Sequence, residues 1–144
     1  MSYIHPSRDE IKQILQDSQT IAVVGLSDDH SKVSYMVSEA MQQKGYKIIP
    51  VNPKATSILG ETSYASLKDV PVPIDIVNVF RRPEHTPPIA QEAVDVGAKT
   101  LWLQLGIANE EAASIATEGG LRMIMDRCIK VEDSILLPNG KGSN

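Results

Sequence analysis

The chain has 144 residues, enough for one domain with a real core, and its 42% hydrophobic and 22% charged residues are the balance of an ordinary globular protein. A net charge of −4 argues against a nucleic-acid partner, which needs a basic face, so any anion has to be held by a local cluster of cations and backbone N–H groups. The single cysteine, Cys128, excludes an intrachain disulfide scaffold; with no apolar signal core at the N-terminus and no bilayer-length apolar run, the expectation is a cytoplasmic protein with no membrane partner.

Ser7-Arg8-Asp9-Glu10 predicts a helix start, with Ser7 as cap and Glu10 completing a capping box, and Ile11, Ile14 and Leu15 share one face of that helix. A continuous apolar run over 20–24 reads as a strand buried on both faces. Gly25-Leu26-Ser27 ends it, and a helix is predicted from Val33 to Lys44 with Gly45 at its C-cap. A second strand covers 46–51, where Pro50 fits a late or irregular position, and 55–70 reads as loop plus a short helix near 64–68. A third strand covers 74–79, followed by a helix over 86–96 closed by Gly97. The fourth strand covers 100–104, a helix capped by Asn109 runs to Glu118, and the fifth strand covers 121–125.

Five apolar runs alternating with helices predict an α/β fold, a Rossmann-like, doubly wound, parallel five-stranded sheet, for which right-handed crossovers suggest the order 3-2-1-4-5. One domain over 1–138 is expected, with the apolar-free stretch 139–144 as a disordered tail.

Open α/β sheets bind ligands beyond the carboxyl ends of their strands, where the strand order reverses. Cations lie near four of the five predicted strand ends: Lys32, Lys54, the pair Arg81 and Arg82, and Arg127. In an acidic protein that concentration points to a phosphorylated ligand. The Gly25 loop leads into a helix N-terminus, where free N–H groups and the helix dipole favour phosphate, and Ser27, Ser31 and Ser34 supply hydroxyls. The plain alternative is a tight turn that this fold requires anyway. Arg81 and Arg82 offer planar forks for bidentate phosphate contact, with solvated loop cations as the alternative.

An ordinary dinucleotide site is disfavoured. From Gly25 the chain reads Gly-Leu-Ser-Asp-Asp-His, without the second and third glycines of the fingerprint, and the second strand ends in Val51-Asn52-Pro53 where an acidic residue for the ribose is expected. His5, His30 and His85 show no metal-ligand spacing with one another or with Cys128, and His30 and His85 read as solvated loop residues. Cys128 beside Arg127 is a candidate reactive thiol, against the commoner role of a small buried hydrophobe.

The ordered set Val-Val-Gly-Leu-Ser (23–27), Lys32-Val33-Ser34-Tyr35, Val51-Asn52-Pro53, Val79-Phe80-Arg81-Arg82-Pro83, Trp102-Leu103-Gln104-Leu105-Gly106 and Asp126-Arg127-Cys128 resembles the small stand-alone bacterial CoA-binding proteins. These are similar to the CoA-binding domain of the succinyl-CoA synthetase α subunit. The resemblance implies coenzyme A as the ligand, with Gly25, Ser27 and Lys32 on phosphate or ribose. It implies Val51, Asn52, Pro53 and Lys54 beside the adenine and its 3′-phosphate, and Phe80 and Arg81 on the nucleotide's other side. Gln104, Leu105, Gly106 and the Cys128 region would face the pantetheine arm. Asp126 departs from the pattern, where Asn is expected before Arg-Cys. The synthetase's phosphorylated histidine lies in a second domain that has no counterpart in this chain, so the resemblance implies binding of CoA or acyl-CoA rather than ligation. An NAD(P)-dependent enzyme and a redox protein forming a mixed disulfide between Cys128 and CoA are the alternative readings.

Overall fold

The structure is a computed structural model and describes residues 3–141. Its main sheet consists of β1 (Thr20–Val24), β2 (Lys47–Val51), β5 (Ile76–Val79), β6 (Thr100–Leu103) and β7 (Arg122–Ile124), all parallel, in the order β2-β1-β5-β6-β7. A small antiparallel hairpin, β3 (Ser57–Ile58) with β4 (Glu61–Thr62), stands apart from it. Among the described residues the α-helices are α1 (Arg8–Asp17), α2 (Val33–Gln43), α3 (Thr86–Asp95), α4 (Glu110–Glu118) and α5 (Ile129–Leu136).

The strands are mostly apolar, with polar residues at the starts of β1, β2, β6 and β7 and Asn78 buried within β5, and alternate residues divide between two cores. Ala22, Val24, Val77, Val79, Leu101 and Leu103 pack with the alanines of α3 and α4 on one face. Ile21, Val23, Ile76, Trp102 and Ile124 pack with α1, α2 and α5 on the other. Helices thus cover both faces, which is why the strand runs lack polar alternation. The expected caps form: Ser7 Oγ accepts the Glu10 N–H while Glu10 Oε1 accepts the Ser7 N–H, and Asn109 Oδ1 accepts the Ala112 N–H at 2.8 Å.

The strand order differs from the sequence expectation. Counted by apolar run, the sheet reads 2-1-3-4-5, not 3-2-1-4-5, because the third run, β5, pairs with β1 rather than with the outer side of β2. Two features account for this. The outer edge of β2 is already occupied, since the Tyr64 N–H donates to Pro50 O at 3.0 Å and the Asn52 N–H to Tyr64 O at 2.8 Å. Meanwhile the Asp75 carboxylate accepts the Gln19 and Thr20 N–H groups at 2.8 and 2.9 Å, fixing the entry to β5 beside the entry to β1. The doubly wound class stands, and the switch point falls between β1 and β5.

The stretch expected as a short helix near 64–68 is a 3₁₀ turn at Leu67–Asp69, preceded by the β3–β4 hairpin, and a second 3₁₀ turn spans Pro83–His85. Helix α5 has no counterpart in the sequence reading. Of the expected tail, Asn139, Gly140 and Lys141 turn back onto the body: Lys141 donates to Ser18 O and its ammonium sits 4.6 Å from the Tyr46 ring centroid. The remainder, 142–144, lies outside the described residues.

Candidate functional site

The switch point is built from a close backbone approach of three strand ends. The Gly25 N–H donates to Val51 O at 3.1 Å and the Phe80 N–H to Val24 O at 2.9 Å, so the ends of β1, β2 and β5 are tied side by side. Gly25 has φ +87°, and a Cβ there would lie 2.5 Å from the Phe80 carbonyl oxygen. Only glycine meets both conditions.

Beyond Gly25 the loop to α2 is held by its own polar groups. Asp29 Oδ1 accepts the Ser31 hydroxyl at 2.7 Å and the Ser31 N–H at 2.9 Å, and Ser27 Oγ accepts the Asp29 N–H. The bond from the Ser31 hydroxyl, with that from its N–H and the nearby Lys32 and His30, holds the Asp29 carboxyl below the usual range. His30 stacks on Tyr35 with ring centroids 4.2 Å apart. Lys32, the N-cap of α2, gives no side-chain cap; its carbonyl accepts the Tyr35 and Met36 N–H groups, which leaves those of Val33 and Ser34 without a protein acceptor among the described residues.

Seven of the sequence candidates line one open cleft of about 270 Å³: Gly25, Ser27, Asn52, Pro53, Lys54, Phe80 and Arg81. Lys54 and Arg81 are exposed, and Phe80 is half-buried. Arg82 is exposed but begins the 3₁₀ turn at Pro83–His85 and is not among the lining residues. Val51 contributes from the far side of the same strand end, to a second cleft described below.

Several candidates also hold the frame. The Leu26 side chain is fully buried, and its carbonyl accepts Asn52 Nδ2 at 2.9 Å while Asn52 Oδ1 accepts the Lys54 N–H. Asn52 is thus a clasp between the loops after β1 and β2. Ser34 is buried, its Oγ accepting the Ser27 N–H at 3.0 Å, so it positions the Gly25 loop. Gln104 is buried as well; its Oε1 accepts Asn78 Nδ2 and the Ile129 N–H, joining β5, β6 and the start of α5. Ser34 and Gln104, expected to face the ligand, thus use their oxygens to brace the frame, while the Ser34 hydroxyl hydrogen and the Gln104 NH₂ have no protein acceptor among the described residues.

Gly106 and Cys128 mark the other end of the sheet edge. The Gly106 N–H donates to Asp126 Oδ1 at 2.7 Å, and Asp126 has φ +60°. A side-chain oxygen on a residue that tolerates the left-handed region is what this position needs, and Asp and Asn both supply it. Cys128 is half-buried at the N-cap of α5, against the core cluster that also receives Phe80.

A second cleft of about 320 Å³ shares Arg81 with the first and opens toward α3; Val24, Val51, Ala65, Ser66, His85, Ile89 and Glu92 complete its lining. The sequence reading passed over Ala65, Ser66, Ile89 and Glu92. The available signal was the spacing of His85, Ile89 and Glu92, which places them on one face of a helix. A larger cleft of about 390 Å³ lies away from the switch point, between the N-terminal segment, α1, α4 and β7. No group of three or more His, Cys, Asp or Glu suited to a metal occurs among the described residues. No helix among them is long and apolar enough to cross a membrane.

The fold and site define a class: a parallel α/β domain with a cation-lined cleft where its strand order reverses. The chain belongs to the CoA-binding domain family, whose model, described as a CoA binding domain, matches residues 19–134. It is 52% identical over 131 residues to the uncharacterized protein YneT of Bacillus subtilis, covering 91% of this chain and 97% of that protein. It is 26% identical to the α subunit of an ADP-forming acetate–CoA ligase II of Pyrococcus furiosus, over 77% of this chain but only 27% of the subunit. Among solved structures, a hypothetical protein from Pyrococcus horikoshii OT3 superposes with a TM-score of 0.89 at 33% identity, covering 95% of this chain and 99% of that one.

Proposed function

We propose that this protein binds coenzyme A or an acyl-CoA at the C-terminal edge of its sheet and acts as a binding module without catalysis of its own. The observation that carries the reading is the cleft in which Gly25, Ser27, Lys54, Phe80 and Arg81 converge at the switch point of a CoA-binding-family domain. Its donor set suits a polyphosphate: two exposed cations, a glycine loop and the Ser27 hydroxyl, with the Val33 and Ser34 N–H groups at the start of α2 following in the chain. The phosphates lie against the Gly25 loop between Lys54 and Arg81, and the pantetheine arm runs along the sheet edge toward Gly106 and Cys128. Asn52, Ser34 and Gln104 hold the frame, so recognition rests on cations and backbone N–H groups. Titration calorimetry with CoA and NAD tests the proposal: tight CoA binding with much weaker NAD binding supports it, and absence of CoA binding removes it.

A further inference from the structure

The two clefts that meet at Arg81 differ in chemistry. On the Gly25 side the lining is a glycine loop with the Ser27 hydroxyl, and Lys54 adds positive charge. On the other side the first turn of α3 contains Pro87 and Pro88, which have no N–H to offer, and Glu92 brings a carboxylate into the wall. Phosphate is therefore favoured in the first cleft and disfavoured in the second.

What the second cleft offers is apolar wall and one fixed acceptor. Val24 and Val51 are buried strand-end residues, and Ile89 is partly buried against the same core. Arg81 stands at the junction, and a guanidinium plane is a good surface for stacking a flat heterocycle. Glu92 Oε1 accepts the Leu67 N–H at 2.8 Å, which fixes the carboxylate, while its second oxygen has no protein hydrogen bond among the described residues. A planar base with an exocyclic amine matches these groups. Asn52, by contrast, already gives one amide hydrogen to Leu26 O and takes the Lys54 N–H on its oxygen, so its side chain serves the loops on both sides.

We propose that the second cleft holds the base of the bound nucleotide, and that Glu92 selects a 6-aminopurine over a 6-oxopurine by accepting a hydrogen bond from the exocyclic amine. This rests on the CoA reading and adds a base-selecting residue to it. The test is titration calorimetry of wild type and Glu92→Gln with CoA and with its deaminated, hypoxanthine-containing form. Glu92→Gln keeps an oxygen for the Leu67 N–H and presents an amide NH₂ to the base. Wild type is expected to bind CoA about tenfold more tightly than the deaminated form, the worth of one matched hydrogen bond against a mismatched one. Glu92→Gln is expected to erase or reverse that preference. Wild type binding both forms within twofold overturns the proposal, as does a variant that retains the wild-type preference. The wild-type comparison needs no variant, so it stands even if Glu92→Gln does not fold. Binding of neither form by wild type removes the CoA reading itself, a different result from binding without base preference.

Discussion

Gly25 and Phe80 are fitted so closely that a single methyl group at Gly25 would lie 2.5 Å from the Phe80 carbonyl oxygen. The same position has φ +87°, so Gly25→Ala combines a steric conflict with an unfavourable backbone conformation. The expected cost is about 2 kcal/mol or more, a fall of roughly 5 °C in Tm for a domain of this size. Thermal denaturation measures it, and an unchanged Tm would mean that the two strand ends are not held together as described.

Arg81 lines both clefts, whereas Arg82 starts the 3₁₀ turn that carries the chain away. Arg81→Ala is expected to weaken CoA binding by about 1.5–3 kcal/mol, one to two decades, and Arg82→Ala by clearly less. Equal losses, or none from either change, would take Arg81 out of the site.

Much of this arrangement was legible in the sequence. The five strand runs announce themselves because helices cover both faces of the sheet, and the glycine, asparagine and arginine positions follow from the rule that ligands sit at strand ends. The order was not legible, since it depends on Asp75 meeting Thr20 and on Tyr64 closing the edge of β2, contacts that no local pattern encodes. Helix α5 was hidden because two of its buried positions are carboxylates. Glu132 and Asp133 are 4% and 1% exposed, and they are tolerated because Arg8 lies 3.8 Å from Glu132, while Lys44 and the Tyr46 hydroxyl bond Asp133 at 2.9 and 2.6 Å. That Ser34, Asn52 and Gln104 also brace the loops and strand ends was not legible, because a polar residue at a strand end serves a ligand or the backbone equally well until its bonds are seen.

Asp75 gives a pH signature. Burial pushes its carboxyl up, but the Thr20 and Gln19 N–H groups and Lys99 together outweigh this and hold it below the usual range. A depressed folded-state pKa stabilises the protein above the ordinary carboxylate value of about 3.9, and that contribution is lost as pH falls through the folded-state value. Asp75→Asn is expected to lower Tm at pH 7 by about 2 °C, a small effect because the Asn oxygen can still accept an N–H, and the gap to wild type should close as the pH falls through the folded-state value. A gap that widens in acid would contradict the sign.

Cys128 is half-buried at the N-cap of α5, at the proposed pantetheine end, and does not line the cleft proposed for the phosphates. Cys128→Ser is expected to leave CoA affinity within about a factor of three, under 1 kcal/mol. A larger loss in calorimetry would move the weight of recognition from the nucleotide to the thiol end.

The direct measurement is the ratio of CoA to NAD affinity for the purified wild-type protein, by titration calorimetry under one buffer condition. The strand β2 ends in Val51-Asn52-Pro53, with no carboxylate for the ribose hydroxyls of NAD, while Lys54 and Arg81 flank the Gly25 loop for phosphate. Micromolar or tighter CoA binding with NAD much weaker is the expected result; equal affinities, or no CoA binding, would contradict the account.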